Sequence, residues 1–313
     1  MKTSLNINRP KGHNNEIAMK KTVIILSTVA LLLATIRQVT KKQEAETNNI
    51  LPTNTIETVI SDINLDKKEH TEDTDSLILA EILTEALKIA TQNINKETFF
   101  TKYEATLYDE YDVKVEISLD YHFTKDYSHL IIRRSNPNSV CIDIFFKNNG
   151  IFERVVSHEQ WALTYVGDTI QDINGDGLKD FVVNWYGATG CCLKAFSNVY
   201  LLRPDKKSFS NEFEFINPTF SPKEKIIRGV CYGHPGETEM YKYKWNDEKI
   251  DTLEYVYYEK NKNGNKTGKI IISTNGPWEN NNKVLKRLNY VPNEYTKIEG
   301  YWWFEGNIRV VKE

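Results

Sequence analysis

The chain has no long block of Lys and Arg, and its 40 basic and 43 acidic residues leave a formal net charge of -3. Proteins that bind nucleic acid concentrate positive charge to neutralise phosphates, so this composition excludes nucleic acid as the expected partner. The sequence also has no self-similar period, so repetition gives no support for a regular propeller. Acidic residues are so frequent that no pair of carboxylates is indicated as acid–base machinery.

No apolar run reaches the roughly 20 residues that a membrane-spanning helix needs. The longest run, residues 22–36, follows the basic start Met19-Lys-Lys and ends at Arg37, which is typical of an export signal. We therefore expect translation to begin at Met19 rather than Met1, and the folded part to reach the periplasm or the cell surface. No Ala-x-Ala site and no lipoprotein cysteine follow the run. Cleavage and retention as a short anchor are both open, and a buried core helix is a third interpretation.

Composition divides the chain into three regions. Residues 1–37 hold an N-terminal extension with the signal-like or anchoring segment, residues 38–74 form a polar linker poor in aromatics, and residues 75–313 form the predicted β domain. Membrane contact is expected through the N-terminal segment only.

One amphipathic helix is predicted at the start of the domain. A cap at Thr74 or Asp75 begins it, and it runs to about Asn93 with one face docked on the body. Its apolar residues recur near helical spacing: Leu77, Ile78, Ile82, Leu83, Leu87 and Ile89.

Beyond the helix the apolar pattern changes to the period of two that is typical of strands. Turn signals separate the runs, so we predict a mainly β fold, an irregular propeller-like or multi-sheet antiparallel domain with one N-terminal helix. The predicted strands are Val113–His122, His129–Arg134, Val140–Phe146, Ile151–Val156, Ala162–Ile170, Phe181–Tyr186, Asn198–Leu202, Glu237–Trp245, Thr252–Tyr258, Lys269–Thr274, Lys283–Tyr290 and Tyr295–Phe304.

The nine residues Asp172–Asp180 have side-chain oxygens at positions 1, 3, 5 and 9 and a glycine at position 6. Ca²⁺ takes six to eight oxygen ligands, so this spacing predicts a calcium loop. An EF-hand needs Glu at position 12, but Val183 stands there and a strand follows, so the loop is expected to join two strands. An acidic turn without an ion is the alternative. The predicted ligands are the side chains of Asp172, Asn174, Asp176 and Asp180 and the carbonyl of Leu178.

This loop resembles the single calcium turn of FG-GAP repeats. From about Tyr165 to Tyr258 the chain is similar to exported, Bacteroidetes-like proteins with one such repeat and to propeller-like periplasmic relatives of the inhibitors of invertebrate-type lysozyme. The resemblance implies a calcium ion that staples loops, and a lysozyme-plugging element in the turn after the calcium strand. That element has a Ser-Gly-x-x-Tyr pattern, whereas the segment Thr189–Leu193 of this chain has neither the Ser nor the Tyr.

The cysteines are four in number: Cys141, Cys191, Cys192 and Cys231. In an exported chain an even number indicates disulfides, and the adjacent pair is expected to find two different partners. A zinc site that joins Cys231 and His234 to the adjacent pair is the alternative. The connectivity is open.

Two segments are candidates for binding a partner. Segment Gly187–Asn198, with Thr189 and Gly190 at its turn, is expected to be ordered by the metal at one end and by a disulfide, although a plain hairpin connection is the alternative. Trp302 and Trp303 lie in a predicted strand, where alternation sends them to opposite faces. Such aromatic residues more often fill a β core.

These observations predict a calcium-stabilised, non-enzymatic protein-binding or inhibitor-like module of the cell envelope. The alternative is a hydrolase that acts on envelope glycan or peptide with a structural calcium ion, and a purely structural surface protein is a third possibility.

Overall fold

The computed structural model describes residues 74–107, 111–188, 190, 192–279 and 282–306. All of them belong to the unit Ile60–Glu313. The export-signal and linker predictions lie outside the described residues. Within the described part of the chain, no helix is long and apolar enough to cross a membrane.

The fold is mainly β, as predicted, and the described residues form fifteen antiparallel strands in three sheets that follow one another along the chain. The first sheet is β1 (Phe99–Leu107), β2 (Tyr111–Asp120), β3 (His129–Ser135), β4 (Ser139–Asn148) and β5 (Ile151–Trp161). The second sheet is β6 (Tyr165–Gln171), β7 (Asp180–Tyr186), β8 (Ala195–Tyr200) and β9 (Phe213–Ile216). The third sheet is β10 (Pro218–Ser221), β11 (Ile226–Val230), β12 (Met240–Asn246), β13 (Lys249–Lys260), β14 (Lys266–Ser273) and β15 (Val284–Leu288).

The predicted helix is present as α1 (Thr74–Gln92), and it docks on the first sheet. The residues that it buries are Leu79, Ile82, Leu83, Ala86 and Ala90. Leu77, which the periodicity assigned to the buried face, is 46% exposed. The docked face is therefore rotated toward the alanines, whose small side chains let the helix approach the sheet.

The three sheets are packed face to face because each strand sends alternate side chains to opposite sides. The first and second sheets share a core that includes Ile131, Ile142 and Phe181. The second and third sheets share another that includes Val199 and Tyr241. The outer face of the third sheet is covered by the C-terminal segment, with Val230, Met240, Tyr295 and Phe304 in its core. The sheets do not close into a barrel.

Eleven of the twelve predicted strands correspond to β2 to β8 and β12 to β15, and the twelfth is wrong. Residues 301–305 form a short helix, α2 (Tyr301–Glu305), flanked by Gly300 at φ 76° and Gly306 at φ 86°. These left-handed residues interrupt any extended run, since glycine adopts positive φ at no steric cost. Strand β1 was not predicted, nor were the short strands β9 to β11.

Candidate functional site: calcium loop and partner surface

The predicted calcium loop joins β6 to β7, which confirms that it lies between two strands. Asp172 holds its first half together, because its Oδ1 accepts from the Gly175 backbone N–H at 2.7 Å and its Oδ2 from that of Gly177 at 3.0 Å. Both glycines have positive φ, 75° and 85°. The carboxylate of position 1 thus faces into the turn, as a first ligand of a loop site must.

The second half of the loop repeats this arrangement. Asn174 Oδ1 accepts from the Asp176 N–H at 3.0 Å, and Asp176 Oδ1 accepts from the Leu178 N–H at 2.7 Å. The Asn174 amide also donates to Asp176 Oδ2 at 3.1 Å. Local bonds of this kind stabilise Asx turns with or without an ion.

Asp180 differs from the other three because it is fully buried. Its two oxygens accept from the backbone N–H groups of Ile173 and Leu202, each at 2.9 Å. Burial raises the pKa of Asp180 to about 7, and the negative charges of Asp176 and Asp172 act in the same direction. Asp180 thereby joins the loop to the strand end at Leu202.

The donor chemistry of the loop fits Ca²⁺. An ionised carboxylate offers about four lone-pair sites, so an oxygen that accepts one N–H still has a lone pair for a cation. Among the described residues, however, no group of three or more His, Cys, Asp or Glu side chains is arranged to hold a metal ion. Calcium binding by Asp172, Asn174, Asp176, Leu178 and Asp180 stays a prediction, as does the zinc alternative.

The connection from β7 to β8 contains the predicted partner-binding turn. Thr189 and Cys191 lie outside the described residues. At the base of the turn the Gly187 N–H donates to the Lys194 carbonyl at 2.8 Å. Gly190 is exposed at φ 93°, and a Cβ there would stand 2.8 Å from Lys194 Nζ. The same ammonium lies 5.4 Å from the ring centre of Tyr232, whose side chain is 58% exposed.

The two candidate tryptophans have different environments. Trp303 is buried, and its Nε1–H donates to the carbonyl of Gly233 at 2.9 Å, so it anchors α2 to the third sheet. Trp302 is half-buried and meets Trp303 edge to face at 5.5 Å. Both residues lie in the short helix α2 and not in the predicted strand. Trp303 is therefore a structural residue, whereas the partly exposed Trp302 stays a candidate contact residue.

The tertiary structure brings the β7–β8 turn and α2 together. Leu193 Cδ2 lies so close to Gly300 that a Cβ there would stand 2.6 Å from it. Cys192 and Leu193 pack in the same core as Trp303. We call these four residues the partner surface: Gly190, Lys194, Tyr232 and Trp302. Nothing in the spacing of the sequence indicated that these residues are neighbours.

The structure describes three of the four cysteines, and Cys191 lies outside the described residues. Cys141, Cys192 and Cys231 carry free thiols, so no disulfide joins any two of them. Cys141 lies in the core under α1 and Cys192 in the core under α2, which keeps them apart. Burial raises the pKa of Cys141 to about 12, which makes it an inert core residue.

A concavity of about 670 Å³ lies beside the first sheet, with Tyr165 of the second sheet in its wall. Its central cation is Arg133, which donates to both oxygens of Asp168 at 2.9 and 2.6 Å and to Glu116 at 2.9 Å. Glu116 also pairs with Lys102 at 2.6 Å. These four charges are satisfied by one another.

Two carboxylates meet on the third sheet, where the sequence indicated no pair. A Cβ on Gly276 would stand 3.6 Å from Glu279 Oε1 and 3.9 Å from Glu239 Oε1. Burial, and secondarily the charge of Glu279, raise the pKa of Glu239. Glu279 is held by the Asn275 amide at 3.0 Å and the Gly276 N–H at 3.3 Å.

Comparisons with known proteins add little. No protein-family model matches the sequence, and no curated protein matches it. A solved structure described as a Xanthomonas type IV secretion system related protein aligns over 60% of this chain and 99% of its own, at 15% identity and a TM-score of 0.31. Similarity at that level carries no argument about fold or function.

Proposed function

We propose that this chain is a calcium-stabilised, non-enzymatic protein-binding or inhibitor-like module of the bacterial cell envelope. The observation that carries the proposal is the partner surface: Lys194 lies over the exposed ring of Tyr232 beside the β7–β8 turn, and Trp302 packs against the same core as Leu193 of that turn. Exposed aromatic and basic groups of this kind are the usual anchors of protein interfaces.

The calcium loop supports the surface from the other end of β7. A strand held at one end by the loop and at the other by the Gly187–Lys194 hydrogen bond presents its turn with little freedom left to lose on binding. The ion therefore has a structural role in this proposal and takes no part in chemistry.

The test is capture of partners from an envelope extract by the full chain, compared with a Tyr232→Ser variant. Tyr290 is 66% exposed and lies outside the partner surface, so Tyr290→Ser is the matched control. We expect Tyr232→Ser to lose at least tenfold in affinity for the captured protein and Tyr290→Ser to retain it. Equal binding by all three proteins, or no captured protein, contradicts the proposal.

Envelope location is the second part of the proposal, and the segment 22–36 after Met19-Lys-Lys supports it. Cell fractionation with an antibody to the folded part tests it. Recovery in the cytosol contradicts it.

A glycan hydrolase is the second candidate, favoured by the pair Glu239 and Glu279. Hydrolysis of a glycosidic bond uses one protonated and one ionised carboxyl group, and the raised pKa of Glu239 suits the acid. Release of sugar from envelope glycan by the wild type, abolished in Glu239→Gln and retained in Glu214→Gln, would favour this candidate over a binding module.

A further inference from the structure

A second region of contact joins the first and second sheets. Phe123, which follows β2, meets Phe209 edge to face with ring centres 5.0 Å apart. Phe209 closes an isolated bridge with Leu202 next to β8. Lys206, in the same turn, pairs with Asp126 at 2.5 Å. We call residues 121–129 and 203–209 the clasp.

His129 lies at the centre of the clasp and is fully buried. Its ring centre is 5.2 Å from that of Phe123, 5.7 Å from that of Phe146 and 6.2 Å from that of Phe209. Neither ring nitrogen makes a hydrogen bond of good geometry, although the backbone carbonyl of Tyr127 lies close enough to favour the charged ring. A buried polar side chain without a partner is costly, and a buried charge without one costs far more.

The surroundings of His129 disfavour its charged form. Burial lowers the pKa of His129 to about 4; the Tyr127 backbone carbonyl opposes this shift, a positive charge on His122 adds to it, and Asp205 opposes it. Lys207 Nζ lies 5.5 Å from the ring centre of Phe146 and 4.9 Å from that of Tyr127. The titratable or charged side chains that face this ring are therefore His122, Tyr127, Asp205 and Lys207.

A second buried histidine, His158 of β5, lies at the contact of the same two sheets but has different neighbours. His158 Nδ1 lies 2.8 Å from the Tyr200 hydroxyl, which itself donates to Glu212. Burial lowers the pKa of His158, but Glu212, 3.5 Å from Nδ1, favours the charged ring. Asp168 also favours it. A charge on His158 is favoured by two carboxylates, whereas only one, Asp205, favours a charge on His129, so His129 is the more sensitive group.

We propose that the clasp is an acid-operated device: protonation of His129 releases the turn 203–209 from the first sheet and exposes the apolar faces of Phe123 and Phe209. Water reaches the imidazolium when the clasp is open and is excluded from it when the clasp is closed. A fall in pH is thereby converted into exposure of an apolar surface on an otherwise folded protein. This device does not involve the partner surface.

The direction follows from linkage. The closed state binds a proton at His129 with a pKa near 4, whereas a hydrated histidine has a pKa of about 6.5. Between these values the open state binds more protons, so the clasp weakens as the pH falls from 6.5 and continues to weaken until about 4. Above 6.5 the contribution is constant.

The experiment is hydrogen exchange of the full chain between pH 7 and 4.5, followed by mass spectrometry and corrected for intrinsic rates. We expect exchange of peptides from 121–129 and 203–209 to rise at least tenfold, while peptides from α1 and the third sheet do not change. His129→Leu should abolish the rise, and His234→Gln, at an exposed position, should retain it. Loss of protection over all peptides at once, a clasp that stays closed in the wild type, or opening that is equal in His129→Leu overturns the proposal.

A second measurement needs no variant. The ¹³Cε1 resonance of His129 in the wild-type protein reports its own titration. A pKa below about 5 in the closed clasp, with the resonance broadening as the clasp peptides begin to exchange, is expected. Titration near 6.5 without a change in exchange overturns the proposal even if His129→Leu fails to fold.

Discussion

Gly175 approaches the backbone of Pro222 so closely that a Cβ at position 175 would stand 2.0 Å from the Pro222 carbonyl oxygen. Pro222 begins a 3₁₀ helix between β10 and β11. The predicted calcium loop of the second sheet is thus packed directly on the third sheet. An ion that stiffens this loop would stiffen the contact between two sheets.

This contact predicts that Gly175→Ala is strongly destabilising. Gly177→Ala is the matched control, because both glycines have positive φ but a Cβ at position 177 meets nothing within 4 Å. Both variants lose the conformational freedom of glycine, and only the first also displaces the Pro222 backbone. We expect Gly175→Ala to cost about 1–3 kcal/mol more than Gly177→Ala in urea unfolding. Equal costs would show that the loop moves away freely.

Calcium binding predicts a concentration-dependent rise in thermal stability. At a free concentration 100 times the Kd, a ligand of the native state adds about 2.7 kcal/mol, which corresponds to a Tm increase of roughly 5 °C for a domain of this size. Scanning calorimetry in calcium and in chelator measures it. Asp176→Ala, which removes the ligand oxygen, should abolish the rise, and Asp251→Ala, at an exposed position of β13, should keep it. No calcium response in the wild type would leave the loop as an acidic turn.

Arg134 and Asp143 form a buried ion pair under α1, at 2.5 Å, and Arg134 also donates to the Leu79 carbonyl of the helix. Arg134→Met is expected to cost about 3–5 kcal/mol, because Asp143 is then a buried charge with only Arg154, at 3.6 Å, as counter-ion. The double variant Arg134→Met/Asp143→Leu should recover much of the loss. Chemical denaturation of the three proteins checks this, and a double variant no better than the single one contradicts it.

Trp303 and Trp302 provide a paired test of which tryptophan is structural. Trp303→Phe removes the bond to the Gly233 carbonyl and should lower the free energy of unfolding by about 1–2 kcal/mol. Trp302→Phe, at a half-buried site, should cost less than half of that. Urea unfolding curves measure both, and the reverse order would mean that Trp302 carries the docking of α2.

Local patterns determined most of the strands and the helix of this protein. Alternation over residues such as Val140–Phe146 needs no partner to be recognised, because one face of each strand is apolar and the other polar. The calcium loop was placed between strands for the same reason. The nine residues of the loop by themselves show the spacing of the oxygen ligands and the glycine at which the backbone must turn.

Tertiary structure decided the rest. The aromatic run Tyr301–Phe304 favours a strand by composition, yet left-handed glycines on both sides and packing on the third sheet make it a helix, because context overrides β propensity. Strand β1 was missed because Phe100, which is 60% exposed, puts an apolar residue on the outer face and breaks the apolar–polar alternation. The neighbours Leu193 and Gly300, and the carboxylates Glu239 and Glu279, are far apart in sequence. Only the packing of successive sheets brings such residues together, and no local sequence pattern predicts these contacts.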